Sequence, residues 1–199
     1  MSLSLVTGLT GCASSISSAT SGPSHEAVSA PPMEGPWADV FAAEWEAATT
    51  DVERSVLADG VVSDQEYAEM TETFRDCLDD QGIDFTGFSA DGSFETSVSP
   101  SRDPDEANEA VKSCSRAAGE DSIGMLYSWV NRNPERLDDN TIVVRCLQDE
   151  GVVGAAYTAA DYADDIDSEE YPFVVDEQTG LGVVSLCESD PLGLLGLRS

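Results

Sequence analysis

From Trp37 onward, apolar residues recur at helical spacing in long stretches, and short polar or glycine-containing segments interrupt them. Trp37, Phe41, Trp45, Ala48, Val52 and Val56 follow one another at steps of four, four, three, four and four. That spacing predicts one face of an amphipathic helix, with acids on the other face. Asp59-Gly60 ends it. Ser63-Asp64-Gln65-Glu66 then reads as a capping box, in which Ser63 and Glu66 satisfy each other's backbone N–H groups. The helix it opens is predicted to bury Tyr67, Met70, Phe74, Cys77 and Leu78 and to stop at Gly82. Phe85, Phe88 and Phe94 flank Asp91-Gly92, a two-residue hairpin signal. Asp103-Pro104 begins another helix, with Pro104 in the first turn and Cys114 near the end. A further helical stretch carries Ile123, Leu126, Tyr127 and Val130 and breaks at Asn133-Pro134. Asp139 or Asn140 is expected to cap the next helix, through Val143, Cys146 and Leu147 to Gly151, and Thr158 with Asp161 a short acidic one. Phe173-Val174-Val175 and Val183-Val184 flank Thr179-Gly180 and predict a second hairpin. The tail PLGLLGLRS is apolar, and its pattern assigns it to no element.

Two of these segments match. Cys77-Leu78-Asp79-Asp80-Gln81-Gly82-Ile83 and Cys146-Leu147-Gln148-Asp149-Glu150-Gly151-Val152 share C-L-x-D-x-G-[IV], each at the end of an amphipathic helix. Each is followed by irregular or short helical chain, a hairpin signal and a second cysteine, Cys114 and then Cys187. The physical reading is a helix whose buried face carries the cysteine and whose glycine supplies a left-handed cap. Four cysteines admit three pairings, and the repeat favours Cys77–Cys114 and Cys146–Cys187. Closing loops of that size stabilises each unit by roughly 3–4 kcal/mol in the chain-entropy picture. The expected fold is α+β and mainly helical. It consists of two pseudo-repeated helix/hairpin units, each closed by a disulfide, packed on one core.

Charge changes the picture of the surface. Among 199 residues, 39 acids face 9 bases, for a net charge of −30, and Lys112 is the single lysine. An apolar share of 41% still provides for a true core. Such a field repels phosphates and excludes nucleic acid as a partner. It favours solubility, loosely attracts divalent cations and steers cationic partners.

Parity of the cysteines sets one apart. There are five, no two closely spaced, so a thiolate zinc cage or a C-x-x-C redox pair has little support. Two disulfides imply an oxidising compartment and leave Cys12 with a separate fate. Leu9-Thr10-Gly11-Cys12 resembles the lipobox of bacterial lipoproteins, which implies a diacylglycerol on the Cys12 sulfur and cleavage before it. Residues 1–11 form a signal-like segment without the basic n-region of a secretory signal, so the true start is expected upstream. Residues 12–36 are rich in Ser, Ala and Pro and read as the anchor and its flexible tether, with a reach of roughly 25–30 Å. Residues 37–199 form the acidic stapled domain. Asp59-Gly60-Val61-Val62-Ser63 with Glu66-Tyr67, before a helix ending in a cysteine, resembles a family of exported actinobacterial lipoproteins of unassigned role. The likeness covers most of residues 37–190 and its motifs are structural. It implies fold and location, and brings no catalytic residue with it. The expected location is the outer face of the cell membrane, held by the lipid alone, or the medium if the lipid is absent.

No constellation identifies a reaction. The one histidine, His25, lies in the tether, so Ser–His and Cys–His systems lack a base within the fold. Asp59-Gly60 through Glu66 matches the second half of an EF-hand loop. The first half would need carboxylates where Ser55 and Leu57 stand, so the capping box explains the same letters better. Asp161, Asp164, Asp165, Asp167, Glu169 and Glu170 read as a solvated acidic face. Asp79-Asp80 and Asp138-Asp139 read as helix ends. No cofactor, metal ligand or catalytic residue is predicted. The expected role is a non-enzymatic envelope binding or scaffold module whose partner is cationic if charge selects it. One alternative is a hydrolase of cell-wall glycan, with two carboxylates across a cleft lined by Trp45 or Trp129. The other is a weakly calcium-responsive module.

Overall fold

Side-chain caps set the start of most α-helices described below, those beginning at Ala38 and Met125 being the exceptions. A computed structural model describes residues 29–198, so Cys12 and His25 lie outside the described residues. Helix α1 (Ala38–Ala47) and helix α2 (Asp51–Leu57) replace the single first helix expected from periodicity. Thr50-Asp51-Val52-Glu53 is itself a capping box, Thr50 accepting from the Glu53 amide and Glu53 from the Thr50 amide, so the chain restarts there. The restart rotates the buried face: Val52 is 68% exposed and Leu57 is fully buried. Helix α3 (Asp64–Asp80) opens on the Ser63/Glu66 capping box and buries Met70, Phe74 and Leu78. After it, Gly82 takes φ +67°, a backbone conformation that a Cβ disfavours.

Strands β1 (Ile83–Phe88) and β2 (Phe94–Val98) form an antiparallel hairpin, with Ile83 opposite Val98 and Phe88 opposite Phe94. Its turn contains Gly92 at φ +84°. Phe85, Phe88 and Phe94 pack around the Phe74 ring, with centroids 5.1–5.6 Å from it. Helix α4 (Pro104–Ala118) is capped by Asp103, and a π-helical turn, Glu120–Gly124, leads into helix α5 (Met125–Arg132). Helix α6 (Asp139–Asp149) is capped by Asp138, which accepts from the Thr141 amide; neither Asp139 nor Asn140 is the cap. A Thr158/Asp161 capping box opens helix α7 (Ala159–Asp165).

The second hairpin does not form. Asp176 accepts from the Thr179 amide and hydroxyl, and residues Glu177–Ser189 are helix α8. Gly180, Val184 and Cys187 form its buried face at helical spacing, so the Val183-Val184 pair lies on a helix. Gly180 is a site of close approach, not a turn: a Cβ there would stand 2.5 Å from the Phe173 ring. Phe173 pairs instead with Val153, in an isolated antiparallel bridge.

Among the described residues the fold is mainly helical, with one two-stranded sheet and two disulfides. Cys77 is bonded to Cys114 and Cys146 to Cys187, with Cα–Cα distances of 5.6 and 5.7 Å. The two units do not share one core. Phe41, Leu57, Phe74, Leu78, Ile83, Cys114 and Leu126 belong to the first cluster. Val143, Leu147, Val152, Tyr162, Val184 and Cys187 belong to the second. Polar contacts join them. Trp37 Nε1 donates to the carbonyl of the buried Asn133 at 3.0 Å, and Asn133 exchanges hydrogen bonds with the Leu137 backbone. Arg132, at the end of α5, donates to the Glu188 carbonyl at 2.7 Å and to Asp139 at 2.8 Å.

Candidate functional site

Two concave regions carry enough chemistry to be sites. The first lies in the second unit, between α7 and the segment Tyr171–Val174. It is a groove of about 620 Å³ lined by Tyr157, Asp161, Asp164, Asp165, Glu170 and Tyr171, with Gly154, Ala156, Pro172 and Val174 completing the wall. The acidic run Asp161–Glu170 was expected to be a solvated face. The capping box fixes α7 so that three of its carboxylates border the groove, and Asp161 is the capping residue itself. Tyr157 donates to Asp165 at 3.1 Å, and Tyr171 stacks on Tyr162, which donates to Glu188 at 2.6 Å. Burial first, and then the Asp165 carboxylate, push the Tyr157 hydroxyl well above its ordinary value. Burial again, and then Glu188, Glu169 and Asp165, push Tyr171 up. Besides burial, the neighbouring carboxylates disfavour a further negative charge here, and the same carboxylates favour a positive one.

The second region is a cleft of about 490 Å³ between the two units. Trp37, Trp129, Arg132 and Arg136 come from the first unit and the connection after it. Asp91 and Ser93 come from the hairpin turn, and Asp139, Glu188 and Ser189 from the second unit. Trp129 is 44% exposed and packs at a tilt on Trp37, with centroids 6.0 Å apart. Arg136 lies over the Trp37 ring and pairs with Asp39.

This cleft is where the glycan-hydrolase arrangement would have to lie, because Trp45 is buried in the first core and donates to the Arg54 carbonyl. A hydrolase of that kind needs one carboxyl held protonated near neutral pH. The Ser93 hydroxyl, against the opposing pull of burial, holds Asp91 below the usual carboxylate range. Asp139 is paired with Arg132 at 2.8 Å. Asp91 and Asp139 are thus both engaged by neighbouring side chains.

A carboxyl that does move upward is elsewhere. Burial pushes Glu120 up in the π-helical turn, where it and Asp121 both accept from Ser115. The half-EF-hand segment is a cap: Asp59 accepts from the Val61 amide, and Glu66 accepts from the Ser63 amide and hydroxyl. Among the described residues no cluster of three or more His, Cys, Asp and Glu side chains has metal-holding geometry. Cys77, Cys114, Cys146 and Cys187 are all in disulfides. The acidic run and Trp129 stand out in the sequence, but nothing local in it shows that a concavity forms at either. Each is assembled from residues far apart in the chain.

Comparison with protein-family models, with curated proteins and with solved structures finds no match. Among the described residues, no helix is long and apolar enough to cross a membrane.

Proposed function

We propose that this chain is a binding module of the cell envelope, similar to exported actinobacterial lipoproteins. A lipid on Cys12 holds it to the outer face of the membrane, and it captures a cationic group of an envelope or extracellular partner in the Tyr157–Tyr171 groove. The supporting observation is the groove itself, which sets two aromatic faces among four carboxylates. An ammonium or guanidinium there gains both a π face and a carboxylate. Each cation–π contact stabilises by roughly 0.5–2 kcal/mol depending on desolvation. The net charge of −30 would speed the encounter with such a partner.

The test is fluorescence anisotropy with a labelled Arg/Lys-rich octapeptide at physiological ionic strength. Tyr171→Leu with Asp164→Asn removes one aromatic face and one charge at the groove. Asp76→Asn on α3 removes one charge far from it. The groove variant is expected to weaken binding about tenfold, and the control less than about twofold. Equal losses in both would mean that only the diffuse field of the molecule attracts the peptide, and the groove assignment would fall.

A further inference from the structure

The cleft between the units has a different chemical character from the rest of the molecule. Elsewhere acids predominate, 39 against 9 bases over the chain. Here two guanidiniums, Arg132 and Arg136, meet three carboxylates, and two tryptophans form one wall. Local charge is close to balanced, so neither a polyanion nor a polycation is selected. What remains is the indole of Trp129, tilted against Trp37, beside fixed hydrogen-bond donors and acceptors.

We propose that this cleft binds an uncharged saccharide, with a pyranose ring against the face of Trp129. The C–H face of a pyranose is apolar and flat, and its edge carries hydroxyls that donate and accept. Trp129, exposed at the mouth, supplies the first requirement. For the second, both arginines are held in place before any ligand arrives. Arg132 is fixed by the Glu188 carbonyl and Asp139, and Arg136 by the Pro36 carbonyl and Asp39. Neither side chain then loses much rotamer freedom on binding, which favours affinity. Asp91 is also fixed, by the Ser93 amide at 3.1 Å and hydroxyl at 2.7 Å, and its ionised carboxylate is an acceptor. Ser189 brings a hydroxyl from the end of α8. Because the cleft joins both units, its occupant would also hold them together. The site is separate from the cationic groove, and neither assignment depends on the other.

The experiment is calorimetric titration of the protein with neutral tetrasaccharides of glucose in α and β linkage and of β-linked N-acetylglucosamine. The expected result is saturable binding of at least one of them below about 10 mM. Trp129→Ala should then weaken it about tenfold or more, while Trp129→Phe, which keeps an aromatic face, should lose less. Tyr171→Leu in the other groove should leave it unchanged. Far-UV circular dichroism and the melting temperature establish that each variant is folded. Absence of saturable binding by every saccharide overturns the proposal, as does binding indifferent to Trp129→Ala. Weakened peptide binding by Tyr171→Leu with Asp164→Asn, saccharide binding being intact, supports the two sites as separate.

Discussion

Glu53 shows most clearly what a single side chain does in this fold. It is 7% exposed, and its Oε2 accepts from the amides and hydroxyls of Thr49 and Thr50 at 2.9–3.2 Å. Its Oε1 accepts from Ser122 at 3.0 Å, so one carboxylate caps α2 and ties it to the π-helical turn. Burial alone would push its pKa up, but hydrogen bonds from Thr50, Ser122 and Thr49 outweigh it and hold the carboxyl below the usual glutamate range. A depressed folded pKa gives stability that is present above the unfolded value and lost as pH falls through the folded one. Glu53→Gln is therefore expected to cost about 1–2 kcal/mol at neutral pH, and Glu53→Ala more. The gap between wild type and Glu53→Gln should narrow as pH drops below the ordinary glutamate range, read by urea unfolding at several pH values. A gap that stays constant with pH would show that Glu53 acts through shape and not through charge. The tyrosines give the opposite limb. Burial, helped by neighbouring Tyr127 and Glu120, pushes Tyr67 up to about 12, and Tyr127, Tyr157, Tyr162 and Tyr171 are raised too. Raised folded values contribute stability below the unfolded value near 10, and that contribution is lost as pH rises beyond it. Tyrosinate absorbance should lag behind that of the denatured chain by about a pH unit or more, then appear as the fold is lost. A native titration that overlays the denatured one would contradict this.

At the scale of elements, the two units reuse one device with unequal support. In each, a helix ends in a cysteine, a left-handed glycine follows, and a buried Ile83 or Val152 leads into extended chain. The disulfides close sequence separations of 37 and 41 residues, so the chain-entropy contribution is nearly the same, roughly 3–4 kcal/mol each. The cores differ, however. The first includes a hairpin with three phenylalanines, whereas the second has three helices and one isolated bridge. Cys146→Ser/Cys187→Ser is therefore expected to unfold its unit at ambient temperature, while Cys77→Ser/Cys114→Ser leaves a folded but less stable first unit. Near- and far-UV circular dichroism of the two variants would check this, and equal losses would contradict the difference in cores. This device was legible because caps, glycines and cysteines act locally: the Ser63 and Thr158 boxes, Asp103-Pro104 and the Gly82 and Gly151 stops all lie where the pattern put them. The misreadings have a common physical source. Val183-Val184 looked like a strand because β-branched residues favour one, yet the Asp176 cap and the Gly180–Val184–Cys187 spacing set the helix. Thr50 and Glu53 cap α2 inside a run whose apolar period continues unbroken, and the cap prevailed. Both concavities depend on packing between distant segments, which no local pattern encodes.

At the scale of the whole molecule, the question is what makes two separate cores behave as one body. The link after α5 supplies part of the answer, through Asn133 and the hydrogen bonds of Arg132 to the second unit. The tail PLGLLGLRS supplies the rest. Asp190, fully buried at the end of α8, accepts from the Leu195 amide at 3.2 Å and the Leu197 amide at 3.1 Å, which folds the tail back on itself. Leu194 and Leu195 then line a pocket with Tyr67, Phe88 and Tyr127 of the first unit. Arg198 donates to the Cys146 sulfur at 3.0 Å and lies 3.7 Å from Glu150, returning the chain to the second disulfide. The tail is thus a strap that touches both units, although Leu194 and Leu197 stay exposed. Asp190→Ala removes the acceptor of two part-buried tail amides, at a cost of about 1 kcal/mol or more, and loosens the tail from the first unit. Wild type is expected to melt in one calorimetric transition. Asp190→Ala, or removal of residues 192–199, should split it into two, with the second unit melting first because its core is smaller. If the variant keeps a single transition with the enthalpy of the whole chain, the strap is not what couples the units, and the coupling must come from Arg132 and Asn133 alone.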